Sequence, residues 1–276
     1  MNYKRLLRTA VFGAVCAAAL GASVCVAADK KVFKVGMECA FAPYNWSQPT
    51  DEGGAIKIKG SSEYAYGYDV IIAKKIADAM GAELEIHKIE WDGLPPAVMT
   101  GKIDAAIAGI SITSERKQSV DFSLPYYIAN VVALVRKGTP QAEAKSVADL
   151  KGSIATSQLN TVWYDQIDQV PDVKKLPAVD NVPGMIVALT SGKVNLIVTD
   201  IPTAQAAAFA NPELVMVDFP EGKGFVTSRE DVEIGASIRK GNTELLEAVN
   251  KVIAGMTDDD FAAIMEEAIK KQPLAQ

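Results

Sequence analysis

The sequence predicts an α/β protein, on three observations. Strand signals alternate with helix-period segments throughout the chain, several predicted helices stop at a glycine, and two strands end in a polar tip that turns straight into a helix. Val32-Phe33-Lys34-Val35-Gly36-Met37 reads as a first strand running into a loop over 38–46. Residues 47–66, rich in Gly, Ser and charge, read as an extended loop or hairpin. A helix is predicted over 69–80, where Ile72, Ile76 and Met80 form an apolar stripe, Ala73 and Ala77 widen it, and Gly81 ends it. Leu84-Glu85-Ile86-His87-Lys88-Ile89 alternates as a half-buried strand. His87, the only histidine, falls on its polar side, which argues against histidine catalysis or a histidine metal site. A short helix over 94–100 and a strand over 103–108 follow. Val131-Val132-Ala133-Leu134-Val135 is a continuous apolar run, suited to a strand buried on both faces.

Residues 146–152 read as one capped helical turn, and Ile154-Ala155-Thr156 as a strand leading to Gln158-Leu159-Asn160-Thr161 and a helix. Another helix over 185–191 stops at Gly192, and Leu196-Ile197-Val198 is a strand running through Thr199-Asp200-Ile201-Pro202 into a further helix. Two amphipathic helices close the chain. Leu245, Leu246, Val249, Val252 and Ile253 line the first; Phe261, Ile264, Met265 and Ala268 line the second, with Asp258 as its predicted cap.

Lys4, Arg5 and Arg8 head an uncharged, Ala-rich stretch over 10–28 that ends in Val26-Ala27-Ala28, the pattern of a secretory signal over 1–28. Cys25 leaves lipid attachment as the alternative. Without the leader's three basic residues the charge is 25 basic against 34 acidic, a net of −9, which argues against nucleic acid and anionic membranes as partners. Past the leader Cys39 is the only cysteine, so an internal disulfide is excluded and a small buried hydrophobe is expected.

The most telling turn is Gly109-Ile110-Ser111-Ile112-Thr113-Ser114-Glu115-Arg116. Thr113 is placed to cap a helix whose first turn holds Arg116. A guanidinium beside free backbone amides suits a carboxylate. The Gln158 to Thr161 turn repeats the design, and Asp200 stands at a third strand-to-helix turn, where an N-cap and a binding role are both open. Open α/β sheets bind ligands at the carboxyl ends of their strands.

Ala108 to Lys117, continuing through Val120-Asp121-Phe122-Ser123 and Pro125-Tyr126-Tyr127, resembles the periplasmic polar amino-acid-binding proteins of ABC importers, bacterial solute-binding protein family 3. Gly67-Tyr68-Asp69-Val70, Trp91-Asp92-Gly93-Leu94-Pro95-Pro96-Ala97, Val147-Ala148-Asp149-Leu150-Lys151-Gly152 and Val198-Thr199-Asp200 share in the resemblance. It implies a type II periplasmic-binding-protein fold of two lobes. Each lobe would be a mostly parallel sheet flanked by helices, and two hinge strands, near 127–131 and before Glu233, would join them. The expected division is 29–128 for the first lobe, 129–222 for the second, and 223–276 for the return to the first.

By the same resemblance, Arg116 would clamp a ligand's α-carboxylate with the backbone amides near Thr161 and Val162. Asp200 would hold the α-ammonium with the Gly109 carbonyl and the Ser111 hydroxyl. Phe41 and Tyr68 would sandwich the aliphatic part, and Glu38 and Gln158 would face the end of the side chain. The physics agrees, since a zwitterion needs one fixed cation and one fixed anion, each desolvated only while paired. Asn160 stands in a turn that relatives make with glycine, and it tolerates the left-handed conformation. Glu38 favours a hydrogen-bond-donating ligand such as glutamine or a basic amino acid over an acidic one.

The resemblance thus implies an exported protein of the periplasm that delivers a polar or basic L-amino acid to an ABC transporter permease. It implies a monomer with no catalytic residue, cofactor or metal. The alternatives are an exported enzyme resembling the cyclohexadienyl dehydratases, with Glu38 as general acid, and a sensory module that binds an amino acid without feeding an importer.

Overall fold

The computed structural model describes residues 31–273. The predicted signal over 1–28, its cleavage near Ala28 and lipid attachment at Cys25 lie outside the described residues. Two five-stranded sheets carry the architecture. In the first the strand order is Glu83–Lys88, Val32–Met37, Ala105–Ala106, Ser237–Arg239, Val120–Phe122. Ser237–Arg239 alone is antiparallel to its neighbours, so four of the five strands point one way. The second sheet runs Lys174–Lys175, Ile154–Thr156, Leu196–Asp200, Val131–Arg136, Leu214–Val217, and Val131–Arg136 is its single reversed strand. Both sheets are mostly parallel, as expected.

The reversed strand of each sheet follows directly on a crossing between lobes. Tyr127–Ile128 leads out of the first lobe and Glu233–Ile234 leads back, and the two pair antiparallel. The Ala129 amide donates to the Val232 carbonyl at 2.7 Å and the Tyr126 amide to the Ile234 carbonyl at 2.8 Å, which extends this two-stranded bridge. Around the expected return at 223 the chain makes contacts with both sheets' segments in turn. The Lys223 carbonyl still accepts from the Val147 amide and the Val226 amide still donates to Gln169, whereas Glu230 already accepts from Ser114 of the first lobe.

The apolar run over 131–135 is buried as a central strand and packs against helices Val182–Thr190 and Ile201–Ala210. Helix Tyr68–Ala79 buries Ile72, Ala73, Ile76 and Ala77 and packs on the amphipathic helices Thr243–Ala254 and Asp258–Lys271. Cys39 is a free, buried thiol. The 47–66 segment joins the residues just before it in a small sheet of Ala40–Phe41, Asn45–Gln48, Ile56–Lys57 and Tyr64–Tyr66. It lies against the edge strand through Ile58 and Ile86, and against the last helix through Tyr66 and Glu267.

Three expectations need correction. The strand over 103–108 shrinks to Ala105–Ala106. The helix expected at Arg116 is a single 3-10 turn, Arg116–Gln118, because Val120 at once enters a ladder opposite Arg239; the Arg116 amide does donate to Thr113 Oγ1 at 3.2 Å. The last helix is capped by Thr257, not Asp258, in a reciprocal box with Asp260.

Candidate functional site

Strand ends of both sheets meet between the lobes. On the first lobe Gly109 allows close approach to Phe41: a Cβ at Gly109 would fall 2.5 Å from Phe41 Cε1. Ser111, also buried, bridges to Ile234 of the returning crossing. Arg116 is half-buried, and its guanidinium donates from Nη1 to the Ser111 carbonyl at 3.0 Å and from Nη2 to the Asn160 carbonyl at 2.9 Å. The Trp91 ring centre lies 5.6 Å away. These hydrogen-bond partners are neutral carbonyls. Burial lowers the guanidinium pKa without threatening its charge.

On the second lobe the Gln158 side chain donates to Glu38 Oε2 at 3.1 Å and to the Asp180 carbonyl at 3.2 Å. Asn160 takes the expected left-handed conformation, φ 55°. Thr161 starts helix Val162–Gln166, but its hydroxyl donates to the Gln158 carbonyl at 2.7 Å, so the first amides of that helix have no side-chain cap. Asp200 is fully buried at the end of Leu196–Asp200. One of its oxygens caps helix Ile201–Ala210 through the Thr203 amide at 2.8 Å, and the other accepts from Tyr44 Oη of the first lobe at 3.0 Å. Cap and cleft residue therefore coincide.

Glu38 is 2 % exposed, and its Oε1 has no hydrogen-bond partner among the described residues. Burial pushes its carboxyl up to about 7, against the pull of the Gln158 hydrogen bond. Burial likewise raises Asp200 to about 6. Asp69, at the start of helix Tyr68–Ala79, accepts from Tyr126 Oη at 2.7 Å and Asn45 Nδ2 at 2.8 Å, and burial raises it to about 6 as well. Folded-state pKa values above the unfolded ones mean that the native state keeps protons the unfolded chain has released. Stability of the unliganded protein should therefore fall as pH rises from about 5 to about 7, on the order of 3 kcal/mol, and level off above. Urea unfolding across that range reads it, and Glu38→Gln should flatten part of the slope. Stability rising from pH 5 to 7 would contradict this assignment.

Phe41 and Tyr68 are both buried among aromatic rings of the first lobe. Tyr68 is fully buried, its hydroxyl donates to the Tyr126 carbonyl at 2.6 Å, and its ring meets those of Tyr126 and Tyr127. The Tyr44 ring packs against both, with centroids 4.6 Å from Phe41 and 6.1 Å from Tyr68. Phe41 also meets Trp163 of the second lobe at 5.7 Å. Tyr44, Trp91 and Asp69 are therefore residues to which the sequence reading gave no part in the site, although Trp91 and Asp69 stand in motifs that carry the resemblance. Trp91 carried a usable signal, an aromatic in the turn directly after a strand, whereas Tyr44 carried none beyond its place in a loop.

A two-lobed α/β fold with a cation and buried carboxylates gathered between its sheets defines a solute-binding protein. The chain belongs to family 3 of the bacterial extracellular solute-binding proteins, whose model matches residues 33–271. It is 28 % identical over 239 residues to the L-cystine-binding protein of Escherichia coli, covering 87 % of this chain and 82 % of that one. Among solved structures it is similar to an amino acid ABC transporter substrate-binding protein of Streptococcus pneumoniae bound to L-arginine. That match has TM-score 0.74, 28 % identity, and coverage of 86 % of this chain and 93 % of the other. An ancestral amino-acid-binding protein, described as a precursor of cyclohexadienyl dehydratase, matches at TM-score 0.69 and 30 % identity over 86 % and 95 % of the two chains.

Proposed function

We propose that this protein is exported to the periplasm, captures a polar or basic L-amino acid between its lobes as a monomer, and presents it to an ABC transporter permease. The observation that carries the reading is Glu38 Oε1, a buried carboxylate oxygen with no donor among the described residues. A carboxylate held this way lacks a donor, and a ligand amide, guanidinium or ammonium supplies one. Arg116, hydrogen-bonded to neutral carbonyls, takes the ligand carboxylate, supported by the uncapped amides at Thr161 and Val162. Asp200 takes the ammonium in exchange for the Tyr44 hydroxyl, with the Gly109 carbonyl and Ser111 hydroxyl beside it. Phe41 and Tyr68 flank the aliphatic part, and Gln158 shares the side-chain end with Glu38. The paired segments Tyr127–Ile128 and Glu233–Ile234 form the hinge.

Thermal unfolding of leaderless protein, refolded from denaturant to strip bound ligand, tests this against the twenty amino acids. A ligand at 100 times its dissociation constant should add about 2.7 kcal/mol of stability. Stabilisation by glutamine or a basic amino acid is expected. Stabilisation only by aspartate, glutamate or an apolar amino acid would overturn the assignment.

A dehydratase reading draws on Glu38, whose carboxyl near neutrality suits a general acid. Release of aromatic product from prephenate or arogenate, followed by absorbance, separates it from simple binding.

A further inference from the structure

Three side chains of the first lobe converge on one residue of the second, at the rim of the cleft. Asn160 Nδ2 donates to Asp92 Oδ1 at 2.8 Å. The Asn160 carbonyl accepts from Arg116 Nη2 at 2.9 Å and from Trp91 Nε1 at 3.4 Å. We propose that Asn160 is a latch that couples ligand capture to lobe closure, its amide held by Asp92 while its carbonyl orients the Arg116 guanidinium.

The argument starts from the backbone. A turn at φ 55° is met most cheaply by glycine, which has no Cβ to strain. Asparagine tolerates the same conformation and adds a side-chain amide. In this chain that amide is spent across the gap, on a carboxylate of the opposite lobe, as a charge-assisted hydrogen bond. The remaining polar bridges between the lobes near this point, Tyr44 to Asp200 and Glu38 to Gln158, join buried groups assigned to the ligand. The first must exchange when an ammonium arrives, and the second lies at the ligand's side-chain end, so neither is a closure contact independent of the ligand. Asn160 and Asp92 are both exposed, outside that exchange, and their bond survives it.

Arg116 supplies the coupling. With Nη1 on the Ser111 carbonyl and Nη2 on the Asn160 carbonyl, its planar fork is fixed only while the second lobe is in place. Closure thus sets the guanidinium that grips the ligand, and a gripped ligand favours the closed state by population shift. Asn160 and Asp92 act as positioning residues.

This inference rests on the amino-acid-binding reading, and stopped-flow binding separates the two. Asn160→Gly keeps the left-handed turn and the carbonyl and removes only the amide. Its ligand dissociation rate should rise about five- to tenfold with the association rate changed less than twofold, in keeping with interface changes acting mainly on release. Asp92→Ala should match it, and the pair together should be no worse than either alone. Asn160→Asp sets two carboxylates against each other, so its loss should be larger and should shrink as salt is added. Adding Asp92→Asn to Asn160→Asp restores one donor and one acceptor and should return dissociation to near the wild-type rate. Additive losses, or an Asn160→Asp loss that Asp92→Asn leaves unrescued, would overturn the latch. Wild-type release from Asn160→Gly, with binding lost in Arg116→Ala, would overturn it too and leave the binding reading intact. Should no amino acid bind the wild type, that reading fails by itself. Small-angle scattering of the unliganded proteins then decides the latch: a larger radius of gyration in Asn160→Gly and Asp92→Ala supports it, an unchanged one overturns it.

Discussion

Arg116→Ala should weaken amino-acid binding at least a hundredfold, about 3 kcal/mol or more. Among the described residues its guanidinium hydrogen-bonds to the carbonyls of Ser111 and Asn160, which orient the charge without neutralising it. A ligand carboxylate taken into the cleft sheds water and depends on that charge for compensation. With alanine in place it meets instead the raised, buried carboxyls of Glu38 and Asp200, which repel it when ionised. Arg116→Lys separates charge from geometry. Lysine keeps the positive charge but not the two parallel hydrogen bonds, so a loss of about tenfold is expected, between wild type and alanine. Stability without ligand should change little, since removing a half-buried cation offsets the two lost hydrogen bonds. Calorimetric titration measures all three proteins. Wild-type affinity in Arg116→Ala would end the assignment of the cleft.

What the sequence made legible was local. The apolar run over 131–135 suits a strand covered on both faces, the stripe of Ile72, Ile76 and Ala73 suits the inner side of a helix, and the structure has both. Asn160 was legible as a left-handed turn residue because steric tolerance belongs to the residue itself. What it hid was set by distant partners. The Arg116 turn stays one 3-10 turn because the next residues must pair with a strand more than a hundred residues later, Ser237–Arg239. Which tyrosine faces the cleft is likewise non-local: Tyr44 and Tyr68 are both aromatic residues beside a turn. The choice is made by Asp200, which lies 156 residues from Tyr44 and takes its hydroxyl. Asp69 reads as an acid favoured by the first turn of its helix. Its role as the acceptor between Tyr126 and Asn45 appears only once the loop over 43–45 has folded onto that helix. The cap of the last helix was missed by one residue, since Thr257 and Asp258 are both good caps and only the Asp260 side chain distinguishes them.

Gly67→Ala should destabilise the fold by about 3–5 kcal/mol, through strain and a backbone collision together. Gly67 has φ 129° and ψ −179°, outside the regions open to a residue with a Cβ. That Cβ would sit 2.4 Å from the Tyr44 carbonyl oxygen, 2.8 Å from its carbon and 2.9 Å from Asn45 Cα. Backbone atoms cannot swing aside as a side chain can, so the 43–45 segment has to lift. Two hydrogen bonds hold it down, from the Tyr68 amide to the Pro43 carbonyl at 3.1 Å and from the Asp69 amide to the Tyr44 carbonyl at 2.8 Å. Lifting the segment also draws Tyr44 away from Asp200 and Asn45 away from Asp69, leaving both buried carboxyls short of a donor. The affinity for ligand should therefore fall along with the unfolding midpoint in urea. Gly241→Ala supplies the comparison, since φ is 80° there and nothing lies within 4 Å of the new Cβ. It should cost only about 1–2 kcal/mol from the backbone alone. Equal losses at the two positions would mean that conformation alone matters. The expected excess at Gly67 measures how tightly the Tyr44 loop is clamped onto the helix that carries Asp69.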